Sequence, residues 1–237
     1  MSEASVSLAK RSVCEALGTG MLVAAVVGSG IMAERLAGGN VALALLANTL
    51  ATGAALVALI LTFAPISGAH LNPVVSFAMA IQRCMPWREV PIYTAAQVAG
   101  GLLGTIVAHV MFGCELYSPS HHQRSGFAQL ISECVAAFGL LCVIWGCMKV
   151  RSALATPVAV ASYIVAAYWF TASTSFANPA VTVARSITDT FTGIRPVDVP
   201  GFVVAQIMGA SLATLLFAWL MPNLPTHAAE VAPPDSE

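Results

Sequence analysis

The chain has 237 residues, of which 58% are hydrophobic and only 9% charged, and its formal net charge is −1. Soluble domains carry about 25% charged residues, so most of this chain cannot face water, and no basic surface is available for nucleic acid. Six cysteines (Cys14, Cys84, Cys114, Cys134, Cys142 and Cys147) are scattered without a CxxC pair, and HExxH, GxSxG and phosphate-loop motifs are absent from the sequence. Disulfide framework, zinc site and the common hydrolase or nucleotide chemistries are thereby excluded.

A helical span needs about 20 mostly apolar residues. Six windows qualify: Val13–Ala33, Val41–Ala64, Val90–Phe112, Phe127–Met148, Ser152–Phe170 and Val199–Met221. The first has no small-residue cleavage site, so it reads as a span and not as a cleaved signal peptide. Gly28-Ser29-Gly30-Ile31-Met32-Ala33 spells GxGxxA at its end, but no strand precedes it, so it reads as close packing of small residues. None of the runs alternates as barrel strands do. The predicted fold class is therefore an all-α membrane bundle.

Between the second and third windows lies SGAHLNPVVSFAMAI (67–81), and between the fifth and sixth lies TSFANPAVTVARSI (174–187). Each has Asn-Pro followed by a helix-compatible stretch too short to span. Matching interrupted segments of this kind point to a midplane site built by inverted repeats. Other residues repeat in the same order: Glu15 with Glu133 at an offset of 118, Asn72 with Asn178 at 106, and Gln97 with Gln206 at 109. Three spans per half is an odd number, so the halves have opposite topology. The chain divides into a first repeat over 1–113, an outer connecting loop over 114–126, a second repeat over 127–222, and a tail over 223–237 whose composition reads as disordered.

Six spans put both termini on one side. Lys10, Arg11, Arg83, Arg88, Lys149 and Arg151 fall there, against Arg35, Arg124, Arg185 and Arg195 on the other. The bias places both termini in the cytoplasm. A lone Asn-Pro is an ordinary helix cap, with proline at the first turn where its missing N–H needs no partner; a pair in register reads as a pore. Glu15 and Glu133 are the carboxylates deep in spans, functional by default, either as coupling groups of a proton-driven transporter or as acceptors for the interrupted loops. His121-His122, in the outer loop, reads as a solvated pair rather than a metal or pH site.

The two Asn-Pro stretches, with the flank ISGAHLNP, resemble the aquaporin (major intrinsic protein) family, whose hallmark is two Asn-Pro-Ala boxes that each open a half-helix dipping to mid-membrane. The second box, Asn178-Pro179-Ala180, is intact, and the first, Asn72-Pro73-Val74, departs by one apolar side chain. The resemblance covers nearly the whole chain. It implies six spans and two half-helices in a homotetramer in the plasma membrane, with one pore per subunit, no enzymatic activity, no cofactor and no metal. It also implies that Glu15 and Glu133 brace the loops so that backbone carbonyls face the pore, and that His70 shapes the inner mouth.

At the family's selectivity filter the sequence departs. An arginine usually stands three residues after the second Asn, and here that position is Val181. Offsets from the boxes place the other filter residues at Thr52, Ala166 and Ser175. So lined, the pore is wide, uncharged and similar to those of arsenite-permeable relatives, which implies passage of glycerol, arsenous acid and water. A water-selective pore and a proton-coupled transporter stand as alternatives. Arg185 lies one turn beyond Val181, about 6 Å along and about 40° around a helix. Two readings of it stand: a displaced filter arginine in the outer vestibule, or a group that binds loop carbonyls or caps the half-helix end.

Overall fold

The computed structural model describes residues 6–150 and 152–222, so the tail expected to be disordered, 223–237, lies outside them. All six apolar windows fold as α-helices: α1 (Leu8–Leu36), α2 (Val41–Ser67), α4 (Val90–Phe112), α5 (Phe127–Cys147), α6 (Ala155–Phe170) and α8 (Val199–Leu220). Two short helices follow the Asn-Pro boxes, α3 (Pro73–Ile81) and α7 (Pro179–Ala184). Among the described residues there is no strand.

The largest departure from the windows is at α1, and α2 and α6 each differ by three residues at one end. α1 begins five residues early because the mixed stretch Leu8–Ser12 extends the helix, tied down where the Arg11 guanidinium donates to both Glu89 oxygens at 2.8 and 3.0 Å. α6 begins three residues late. Ser152 Oγ accepts from the Leu154 N–H at 3.3 Å and holds a turn there. Its 16 residues rise only about 24 Å, short of a hydrocarbon core of about 30 Å. The other five long helices are long and apolar enough to cross a membrane.

Around an apolar core, the surface is also apolar and several polar side chains are fully buried, unlike in a water-soluble bundle. Leu17, Met21, Leu50, Leu103, Val110 and Leu215 are exposed, each by more than half, while Glu15, Gln97, Thr105, Glu133 and Gln206 are fully buried. An apolar belt this extensive marks contact with lipid or another chain.

The repeat governs packing as well as sequence. α1 packs on α4 and α5 packs on α8. A Cβ at Gly100 would strike the Ala16 carbonyl, and one at Gly209 would strike the Cys134 carbonyl. Both glycines sit on the third helix of their half and both carbonyls on the first, so the same close crossing recurs. Small residues allow such approach where lipid supplies no hydrophobic drive.

Candidate pore

Two stretches of irregular backbone enter the bundle from opposite ends and stop at Asn72 and Asn178. Each takes left-handed backbone at the same three places: Gly68 (φ 87°), Ala69 (46°) and Leu71 (48°) in the first, Thr174 (60°), Ser175 (50°) and Ala177 (47°) in the second. That conformation costs a non-glycine residue about 1–2 kcal/mol. Five of the six are not glycine, so the segments need external support.

Glu15 and Glu133 supply it. Glu15 accepts from the His70 N–H (2.9 Å), the Leu71 N–H (2.6 Å), the Ser67 hydroxyl (2.7 Å) and the Gln97 amide (2.8 Å). Glu133 accepts from the Phe176 N–H (2.9 Å), the Ala177 N–H (2.9 Å) and the Gln206 amide (2.6 Å). Gln97 also donates to Ser76 Oγ at 3.1 Å, and Gln206 to Thr182 Oγ1 at 2.9 Å. A trans peptide points its N–H and C=O in opposite directions. With those N–H groups turned to the glutamates, the carbonyls of Ala69, His70, Ser175 and Phe176 turn the other way, towards the cavity their residues line.

The asparagines cap the half-helices and clasp one another's segments. Asn72 Oδ1 accepts from the Val74 N–H (3.1 Å), and Asn178 Oδ1 from the N–H groups of Ala180 (3.0 Å) and Val181 (3.3 Å). Asn72 Nδ2 donates to the Ala177 carbonyl and Asn178 Nδ2 to the Leu71 carbonyl, both at 2.8 Å. A carboxamide has two N–H groups, so one remains on each for the cavity that both side chains line. Pro73, Val74, Pro179 and Ala180 are buried and stand off that cavity. The Ala-to-Val departure in the first box therefore does not touch it.

The cavity measures about 190 Å³. Its polar lining comes mainly from the two loops, whereas α1, α2, α5 and α6 contribute mostly leucine, isoleucine and valine. Thr52, Ser175, Val181 and His70 all line it, and so does Arg185. His70 Nδ1 lies 3.0 Å from Ser76 Oγ. The expectation for Ala166 is corrected: that residue is exposed on the far side of α6. The cavity face of α6 is Thr156, Val160, Ile164 and Tyr168, one residue every four, so Tyr168 stands where Ala166 was expected. Its hydroxyl donates to Thr52 Oγ1 at 3.4 Å. The fixed offset failed because it assumed no gap between α6 and the second box, and helical spacing alone would have found the tyrosine. Ser175 Oγ is buried and without a partner among the described residues.

Arg185 binds a loop carbonyl, as one reading of it expected, while it also lines the cavity. Its Nε donates to the Thr192 carbonyl, and its guanidinium carbon stacks 3.4 Å from the centroid of the Phe176 ring, which also lines the cavity. The sequence pattern gave Phe176 no role. It gave none to Arg124 either, whose guanidinium carbon is 4.9 Å from the same ring. His121, expected to be solvated, is largely exposed but clasps Asp189, through its N–H and Nδ1, both at 2.9 Å. Those bonds, the N–H first, hold the Asp189 carboxyl below its ordinary value. His122 is exposed, and its N–H reaches Ser120 Oγ at 3.2 Å.

Comparison with known proteins agrees with this geometry. Aquaglyceroporin AqpS of Rhizobium meliloti (strain 1021) is 52% identical over 230 residues, 95% of this chain and 98% of that protein. Aquaporin NIP1-3 of Oryza sativa subsp. japonica is 32% identical over 216 residues, 87% of this chain and 73% of that one. The X-ray structure of the aquaglyceroporin from Plasmodium falciparum superposes with a TM-score of 0.72 over 92% of this chain and 99% of that one, and at 19% identity it speaks to the fold alone. The family described as Major intrinsic protein matches residues 2–160 and 147–236. The chain belongs to the major intrinsic protein family of membrane channels.

Proposed function

We propose that the protein is a passive, bidirectional pore for small uncharged hydroxylated solutes and water, with glycerol and neutral metalloid hydroxides such as arsenous acid as its solute class. The observation that carries this reading is the division of the cavity lining. Loop carbonyls, two asparagine N–H groups and the hydroxyls of Thr52, Tyr168 and Ser175 offer a ladder of hydrogen-bond partners, while the remaining helices offer an apolar wall. A solute with hydroxyls on one side and little polarity on the other exchanges water for that surface at small cost. The half-helices aim their positive ends at the centre, which disfavours cations there. Valine at 181 leaves the filter position uncharged. Similarity to an aquaglyceroporin over nearly the full length supports the same class.

The charge bias of the loops supports cytoplasmic termini and insertion in the plasma membrane. The exposed apolar belt is compatible with a homotetramer, each subunit having its own pore. A water-selective pore is the second reading, favoured by Arg185 and Phe176, which bring a cation and an aromatic ring to the outer end. The proton-coupled transporter has less support, because Glu15 and Glu133 lie off the cavity with their oxygens committed to the loops.

Stopped-flow light scattering on proteoliposomes tests the proposal. Water, glycerol and arsenous acid fluxes should exceed those of empty liposomes, with a low activation energy and no response to an imposed proton gradient. Solute flux equal to that of empty liposomes sinks the solute class, and flux that appears only with the gradient sinks the passive pore.

A further inference from the structure

The outer loop over 114–126 is stitched onto the segment that follows α7. Ser118 and Ser120 donate their N–H groups to the carbonyls of Ile187 and Ser186, both at 3.1 Å. Arg195 donates its N–H to the His122 carbonyl at 2.9 Å, and the Arg124 N–H reaches the Asp198 carboxylate at 2.8 Å. So anchored, Arg124 turns its side chain inward. Its Nε donates to the Gly193 carbonyl (2.8 Å) and its Nη1 to the Ser173 carbonyl (3.1 Å).

Both guanidinium carbons, of Arg124 and Arg185, lie within 4.9 Å of one cavity-lining ring centroid, that of Phe176. The carboxylates at this end are engaged elsewhere. Asp198 holds the Arg195 guanidinium at 3.0 and 3.1 Å, Asp189 holds His121, and Glu133 holds the loop backbone and Gln206. Among the described residues, no side-chain carboxylate pairs with either guanidinium, and the terminal nitrogens of Arg185 make no hydrogen bond. Two fixed cations without a direct carboxylate partner, offset only through space by Glu133, thus sit at this end, Arg185 on the cavity lining and Arg124 behind the Phe176 ring.

We infer that Arg124 is a charge-selecting residue of the outer mouth: with Arg185 it sets a positive barrier around Phe176 that stands in for the arginine absent at position 181. A cation entering the pore must pass both charges at distances comparable with the Debye length of about 8 Å at physiological ionic strength. Partial burial weakens screening further. A neutral solute meets no such barrier and finds donors in the same groups. The inference rests on the proposed passive pore, and it assigns to a loop residue the discrimination by charge that Val181 cannot provide.

Guanidinium and urea separate charge from size, since they are planar, nearly equal in shape, and differ by one unit of charge at any accessible pH. Tracer uptake of both into the same proteoliposomes, clamped at zero potential, gives a permeability ratio. Arg124→Gln should raise the guanidinium-to-urea ratio at least about tenfold, in keeping with loss of one nearby charge in a medium less polarisable than water. Arg124→Lys keeps the charge but loses the fork to Gly193 and Ser173, and should hold the ratio near that of the wild type. With urea flux intact, an unchanged ratio in Arg124→Gln, or an equal rise in Arg124→Lys, overturns the inference. Should Arg124→Gln fail to fold, Arg124→Met, which keeps an unbranched stem against Phe176 without the charge, decides by the same measurement: a rise in the ratio of at least about tenfold supports the inference and an unchanged ratio overturns it. Absence of both urea and glycerol flux in the wild type would instead overturn the pore itself.

Discussion

Asn178 does three jobs with one carboxamide. Its oxygen caps α7, one N–H fastens the Leu71 carbonyl of the opposite loop, and the other N–H is left to the cavity. Leucine at this position is similar in size but keeps none of these. Loss of a cap costs about 0.5–2 kcal/mol, and a buried carbonyl left without its donor costs about 1–3 kcal/mol. Asn178→Leu should therefore lower water and glycerol flux several-fold, since a lost donor worth about 0.5–1.5 kcal/mol reduces passage by about 2- to 13-fold, while the chain still inserts. Flux per inserted protein in proteoliposomes is the measurement. Normal flux would place the pore elsewhere. The Asn-Pro pair was legible because two short boxes recur at a fixed offset. The cross-clasp was not, since nothing in either box names a partner 105 or 107 residues away.

The re-entrant segments illustrate the limit of local sequence at the next scale. Ala69, Leu71, Ser175 and Ala177 have no preference for left-handed backbone, so propensity alone cannot place them there. What holds them is a glutamate in a different helix, 43 to 56 residues away in sequence. The spans themselves were readable from apolar run length, because lipid demands satisfied backbone and helices provide it. The ends of α6 were less so, since a side chain–backbone turn at Ser152 ends the coil late. Glu133→Gln tests the bracing role. It keeps the shape but presents an NH₂ where an oxygen accepted an N–H, leaving one buried donor without a partner. A stability loss of about 1–3 kcal/mol follows, to be read as a lower thermal midpoint in detergent, with a smaller change in flux per folded channel. Unchanged stability with abolished flux would return Glu133 to the coupling role.

For the whole molecule the deciding property is selectivity, which no single element owns. The proposed filter takes Thr52 from α2, Tyr168 from α6, Ser175 from the second loop and Val181 from α7, all of which line the cavity, as does Arg185 four residues further on. Val181→Arg tests how these parts combine. Arginine adds several heavy atoms and a fixed charge with five donors to a buried, cavity-lining position. Its guanidinium would reach towards the Thr52 and Tyr168 hydroxyls and narrow the passage where the uncharged ring now stands. Solutes wider than water suffer most, since they cannot pass beside it. A second cation four residues before Arg185 also brings two like charges together on one face, an unfavourable pairing on any helix. Glycerol and arsenous acid permeability should fall at least about tenfold, a barrier increase of about 1.4 kcal/mol, while water permeability falls much less. Arg185→Ala, measured in the same liposome preparation, separates the two arginine positions. If selectivity resides at 181, the solute-to-water ratio responds to Val181→Arg and only weakly to Arg185→Ala. An unchanged ratio in Val181→Arg, with a large change in Arg185→Ala, moves the filter outward by a turn, to the ring of Phe176 and the arginines stacked on it.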